Sequence, residues 1–263
     1  MEKFIVNAIT NHLFRNHLIS ENQHGFLMGR STVTQLLETL AIWTAELDKG
    51  NNMNILYCDF KKAFDTVPHK RLLEKIKSYG IKGEVLSWIT DFLAERKQRV
   101  CVNGKLSEWK NVTSGVPQGS VLGPLLFVIY INDLEDSVNC GVKLYADDTK
   151  IFAVVNNDIE SKDFQKQIDS LTRWSETWKL HFHPDKCHIL KIGNKPDTIE
   201  YNMQNNHALC KLKESKEEKD LGVIIDNKLN FRKHCEKVAT TANKLLGILR
   251  RNFTYINITN IQY

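Results

Sequence analysis

A chain of 263 residues, 42% hydrophobic and 25% charged, can bury a core as one large domain or two intimate ones. Six scattered cysteines form no CxxC pair and have no His at zinc-ligand spacing. This excludes a disulfide framework and structural zinc, and reads as reduced thiols in an intracellular protein. The longest apolar run, 121–131, is too short to span a bilayer and contains Gly123-Pro124, the N-terminus does not resemble a signal peptide, and a net charge of +5 suits a polyanionic partner.

Residues 4–19 carry Phe4, Ile5, Ala8, Ile9, Leu13 and Leu18, an imperfect amphipathic helix. A turn-rich loop with two glycines follows over 23–32, where Ser31 or Thr32 can cap the next helix. That helix sets Val33, Leu36, Leu37, Leu40, Thr44 and Leu47 on one face, and Gly50 stops it. Arg30 stands just before a helix N-terminus, where a phosphate is favoured; it is equally readable as a surface arginine.

Residues 53–58 read as a strand running straight into the carboxylate of Asp59. Pro68 opens a helix that runs to Tyr79 with Gly80 as its stop, and 85–94 is another amphipathic helix. Asn103-Gly104 between β-prone residues is the strongest short hairpin signal. The loop 113–120 leads into a very apolar helix over 122–134. Its glycines let a backbone approach a ligand, and Gln118 offers a donor and an acceptor. A buried structural loop would use Gly and Pro as well, and both readings stay open.

The stretch 143–153 reads as a hairpin with Asp147-Asp148 at its turn. Adjacent carboxylates repel, so the turn calls for a counter-charge that an oxygen-bound divalent cation supplies; the ordinary alternative is a solvated turn. Two strands that each end in Asp can lie side by side. Asp59 then meets the Asp147-Asp148 pair and can hold two Mg²⁺ ions about 3.5–4 Å apart, the arrangement used for in-line phosphoryl transfer. Residues 159–178 form a long helix packing Phe164, Ile168, Leu171, Trp174 and Trp178. Pro184-Asp185-Lys186 turns into a strand over 187–190. The polar stretch 194–219 holds weak strands near 199–203 and 208–212; 221–226 is a clear strand and 231–250 a final helix. Basic groups recur at Lys61-Lys62, 69–71, 96–99 and Arg250-Arg251, as solvated faces or as contacts to a polyanion.

Four features stand in order: a strand ending in Asp59, the Gly-Val-Pro-Gln-Gly loop at 115–119, Tyr145-Ala146-Asp147-Asp148, and Lys186 beyond a helix. With Gln23-His24-Gly25-Phe26, Gly29-Arg30-Ser31-Thr32, the run 59–65 and Leu221-Gly222-Val223, the chain closely resembles reverse transcriptases of non-LTR (LINE-like) retrotransposons, in particular the jockey-like group. The likeness extends over almost the whole chain.

The resemblance implies an α+β right-hand polymerase: partial fingers over 1–50, a ferredoxin-like palm with the primer-grip hairpin over 51–230, and the start of a thumb over 231–263. It implies that Asp59, Asp147 and Asp148 hold two Mg²⁺ (with Mn²⁺ as the substitute ion) and that the Phe60 carbonyl is a further ligand. Phe64 would exclude a 2′-hydroxyl, because an aromatic ring fills the space that group needs and offers it no partner. Gln118 and Gly119 would line the nucleotide and template side, Arg30 would touch the triphosphate, Lys186 would protonate pyrophosphate, and Leu221 and Gly222 would grip the primer. The partners implied are an RNA template, a DNA primer and dNTPs, with no membrane, in the nucleus or cytoplasm.

Two departures bear on this. The family's basic residue after Gly25-Phe26 is replaced by Leu27-Met28, leaving Arg30 alone for the triphosphate. The first fingers motif, an endonuclease domain and most of a thumb are missing, so the chain is expected to be a fragment of a longer element protein. The competing class is an inactive remnant that at most binds nucleic acid. An RNA-dependent RNA polymerase is disfavoured by Phe64.

Overall fold

The computed structural model describes residues 1–253 apart from 196, 206 and 207. Two helices, α1 (Glu2–Arg15) and α2 (Thr32–Asp48), precede strand β1 (Met53–Cys58). Helices α3 (Ala63–Thr66), α4 (His69–Ser78) and α5 (Gly83–Leu93) follow, then the short strands β2 (Lys97–Gln98), β3 (Cys101–Val102), β4 (Lys105–Leu106) and β5 (Lys110–Asn111). Helix α6 (Gly123–Ile131) leads to β6 (Gly141–Tyr145), β7 (Asp148–Val154), α7 (Asp158–Trp178) and β8 (His188–Ile192). The rest is β9 (Asn202–Asn205), β10 (Ala208–Lys211), β11 (Lys213–Ser215), β12 (Glu217–Asp220), β13 (Val223–Asp226) and α8 (Arg232–Asn252).

A five-stranded sheet in the order β11-β8-β1-β7-β6 forms the middle of the unit Met1–Ser215. Only the β11–β8 pair is parallel. β1 is central and apolar on both faces, as a doubly covered strand must be. Its Leu56 lies level with Ile151 of β7 and Ile189 of β8, and this row packs into the core built around α6, α7 and α4. Its Ile55 lies level with Phe152 and Leu190 on the opposite face. There α2 covers the sheet, with the Trp43 ring edge-on to Phe152 at 5.8 Å.

Helix α6 is apolar all round and buried all round. Lys75 of α4 reaches into this core. Its ammonium meets the Tyr130 carbonyl and Asp133 Oδ1, and stands 3.8 Å from the Trp178 ring centre. The pairing and the ring together make burial of a cation tolerable there. The second unit, Lys216–Tyr263, contains the β12–β13 hairpin and α8.

Three local expectations need correction. Helix α2 buries Gln35, Leu36, Thr39 and Trp43, while Val33, Leu37 and Thr44 face out. The apolar residues nearly encircle this helix, so their spacing did not select a side; the large Trp43 ring did, against the sheet. The hairpin after β6 turns on Ala146-Asp147, with Tyr145 paired to Asp148, so Asp148 opens β7 rather than sharing the turn. Ala146 takes φ 56°, a left-handed value that a two-residue hairpin demands at its first turn position. Leu221 and Gly222, read as the start of a strand, form the turn between β12 and β13, with φ 45° and 95°.

Candidate active site

The register of β1 against β7 sets Cys58 level with Thr149. Asp59, one residue past β1, and Asp147-Asp148, at the start of β7, therefore emerge at the same end of two adjacent strands. The carboxyls of Asp59 and Asp147 are close enough to feel each other. Burial first, and then the negative charge of Asp59, push Asp147 above the usual carboxylate range, against a backbone hydrogen bond that lowers it. Asp148 is exposed. Lys186, in the 3₁₀ turn Pro184–Lys186, brings its Nζ to 3.7 Å from Asp59 Oδ1, an open ion pair.

The backbone beyond β1 is fixed by a second pairing. His183 N–H donates to the Asp59 carbonyl at 2.7 Å, and Lys61 N–H donates to the His181 carbonyl at 2.8 Å. Phe60 sits between them with its ring stacked on Phe182 at 4.4 Å. This bridge employs the carbonyl of Asp59 and leaves that of Phe60 aside.

The chain then enters α3. Phe64 is half-buried, stacked on Phe127 at 4.3 Å and met edge-on by Phe26 at 6.1 Å. The loop 114–119 is clamped onto this helix. Val116 N–H donates to the Phe64 carbonyl, Gly115 N–H to Val67 and the Ser114 hydroxyl to Asp65. A Cβ on Gly115 would lie 2.7 Å from the Asp65 carbonyl oxygen, and its φ is 89°; glycine is required on both counts. Gln118 is exposed, with its amide nitrogen 2.8 Å from Asp65 Oδ1. Gly119 is exposed beside it.

Residues 22–25 lie along β6. His24 N–H donates to the Leu144 carbonyl, and Leu144 N–H donates to Asn22. The Gln23 side chain, fully buried, accepts from the backbone at both Gly25 and Ala146. Arg30 braces this loop: one guanidinium nitrogen donates to the carbonyls of Ser20, Glu21 and Gln23.

The structure thus gathers Asp59, Asp147 and Lys186 at one point, and Phe64 with Gln118 through Asp65. Arg30 makes its contacts inside its own loop. Leu221 and Gly222 belong to the other unit. Sequence reasoning gave no role to Gln23, Phe26 or Asp65; all three lay inside the quoted motifs, which was the available signal.

The family model described as reverse transcriptase (RNA-dependent DNA polymerase) matches residues 1–243. The chain belongs to the reverse transcriptase family. It is 30% identical over 243 residues to the RNA-directed DNA polymerase from mobile element jockey of Drosophila funebris, covering 89% of this chain and 26% of that one. The Drosophila melanogaster counterpart is 26% identical over 247 residues, covering 90% and 26%. This reverse transcriptase therefore groups with those of jockey-like non-LTR elements, and spans about a quarter of the length of these relatives. Its fold is similar to apo telomerase from Candida tropicalis, with a TM-score of 0.57 at 11% identity over 88% of this chain and 39% of that one. No helix among the described residues is long and apolar enough to cross a membrane.

The carboxylates fit a hard divalent ion. Mg²⁺ is characteristically held by one or two carboxylates together with substrate phosphates, rather than by an all-protein cage. Among the described residues no three Asp, Glu, His or Cys side chains form such a cage. An Asp59–Asp147 pair is the donor set that mode of binding needs.

Proposed function

We propose that this chain carries RNA-directed DNA polymerase activity, transferring a nucleotidyl group from a dNTP to a primer 3′-hydroxyl on an RNA template, in the service of retrotransposition. The observation that carries the reading is the meeting of Asp59 and Asp147 at the ends of adjacent strands, with Lys186 beside them. In this reading 1–50 are partial fingers, 51–230 a ferredoxin-like palm and 231–263 the start of a thumb.

Asp59, Asp147 and Asp148, with the Phe60 carbonyl, would hold two Mg²⁺, with Mn²⁺ as the substitute ion. Bound there, the ions supply Lewis-acid activation of the attacking hydroxyl and neutralise the triphosphate. Lys186 gives a proton to the departing pyrophosphate. Phe64, backed by Phe127, fills the volume that a ribose 2′-hydroxyl needs. Gln118 and Gly119 line the nucleotide and template side, with the Gln118 amide steadied by Asp65. Arg30 faces the triphosphate through the loop it braces, and Leu221 and Gly222 grip the primer.

Primer extension on poly(rA)/oligo(dT) with Mg²⁺ tests the reading. Incorporation of dTMP that stops on chelation is the expected result. Intact nucleic-acid binding without extension would instead identify an inactive remnant.

A further inference from the structure

We propose that the ribbon formed by β2, β3, β4 and β5 is a docking surface for single-stranded template RNA outside the nucleotide site. The choice of template RNA rests on the polymerase reading above; the existence of a nucleic-acid surface does not.

Every residue from 94 to 111 is exposed. The ribbon turns on Asn103-Gly104, both with positive φ, and closes at its base where Val112 N–H donates to the Arg96 carbonyl. Its register slips by one residue between the Lys97–Asn111 and Cys101–Leu106 pairs. Such a bulge increases the twist of a ribbon. At the usual rise per residue it projects about 20 Å.

Charge and apolar surface coincide on this arm. Between Arg96 and Lys110 five cations face one carboxylate, Glu108, a net +4 in a chain whose total is +5. None of the five has an ion-pair partner among the described residues. Arg99 lies over the Trp109 ring at 4.4 Å. Trp109, Val100, Val102 and Leu106 are each more than half exposed.

A purely cationic arm would suit any phosphate backbone. Cations interleaved with an exposed aromatic ring and aliphatic side chains suit a strand whose base faces are uncovered, because unpaired bases stack while those of a duplex are hidden. The arm's descending strand runs directly into Ser114, bridged to Pro68, and then to Gln118 on Asp65. It therefore stands next to the side of the site where the template lies in the polymerase reading.

The test is fluorescence anisotropy of a labelled, unstructured 20-nucleotide RNA and of a blunt RNA–DNA hybrid of the same sequence, with the full chain over a range of salt. For the triple variant Arg99→Ala/Lys105→Ala/Lys110→Ala, the Kd for single-stranded RNA is expected to rise about tenfold or more. The salt slope should fall by roughly 2, at about 0.7 per lost phosphate contact. Trp109→Ala should weaken the same RNA several-fold with the slope unchanged while moving hybrid binding less than about twofold, and the triple variant should lose clearly less affinity for the hybrid than for the single strand. All four positions are exposed, so the variants should fold; circular dichroism checks it. Unchanged RNA affinity, an equal loss on the hybrid, or conversion of a dimer to a monomer in sedimentation would each overturn the assignment. The readout is binding, so failure of polymerisation in Asp147→Asn or in the unaltered chain leaves this result interpretable.

Discussion

Gln23 and Ala146 are joined across the sheet edge: the Gln23 side-chain carbonyl accepts the Ala146 N–H at 3.0 Å while accepting that of Gly25 at 2.7 Å. Ala146 is the left-handed residue on which the hairpin turns, and Asp147 follows it. The loop at residues 22–25 thus holds the backbone that aims a carboxylate.

Replacing Gln23 by Leu would leave both buried N–H groups without their acceptor. At about 1–3 kcal/mol for each of the two unsatisfied groups, the cost should be about 2–6 kcal/mol in urea unfolding. Gly25→Ala should act on the same contact from the other side, because a Cβ there would sit 2.2 Å from the Ala146 nitrogen. Both variants should lose primer extension at temperatures where they remain folded. Wild-type extension in either would show that the hairpin does not depend on this contact.

Asp147→Asn should abolish extension and stabilise the fold in metal-free buffer near neutral pH. Burial and Asp59 raise the Asp147 carboxyl in the folded chain above its ordinary 3.8. A raised acid favours folding most when protonated, so stability is lost as pH rises through the folded value. The variant removes that loss, and its advantage should vanish below pH 3.8, where both side chains are neutral. Thermal melts of the two proteins from pH 3 to 7 measure this. An equal offset at every pH would sink the argument.

Phe64→Val should relax sugar discrimination. Opening the volume beside the ribose should raise the ribo- to deoxyribonucleotide ratio of kcat/KM by one to three orders of magnitude, roughly 1.4–4 kcal/mol. Single-nucleotide incorporation kinetics give the ratio. If it does not move, the stack on Phe127 is the whole role of this ring.

Lys75 carries a pH dependence of the opposite sign. Burial pushes its ammonium down to about 8, opposed by Asp133. Between that value and 10.5 the unfolded chain binds the extra proton, so stability rises with pH across the window. Relative to Lys75→Met, which cannot titrate, wild type should gain on the order of 3 kcal/mol over it. Parallel urea midpoints for the two proteins would contradict this.

The features legible in sequence were those set by local chemistry. Asn103-Gly104 fixed a turn, and both residues do take positive φ. An apolar run ending in Asp59 fixed a strand and its carboxylate, and 59, 147 and 186 converge. What escaped depended on partners distant in the chain. The side of α2 that is buried was decided by Phe152, and the purpose of Gln23 by Ala146. The Asp-Asp turn was displaced by one residue because the β6–β7 register, not the dipeptide, selected which residue bends. Arg30 looked like a free cation beside a helix start, and only folding shows its guanidinium spent in part on three carbonyls.

The central place of β1 has a consequence for synthesis of the chain. Both partners of this early strand come late, β7 at Asp148–Val154 and β8 at His188–Ile192. At about 5–20 residues per second a ribosome needs roughly 7–27 s to travel from β1 to the end of β8. Until β7 is made this apolar strand has both edges open, and until β8 is made one edge remains open, a template for aggregation. Nascent chains arrested before β8 should accordingly be captured by chaperones or cut by protease near Tyr57, and longer ones should be protected. Equal sensitivity at both lengths would show that β1 is sheltered by something other than its sheet partners.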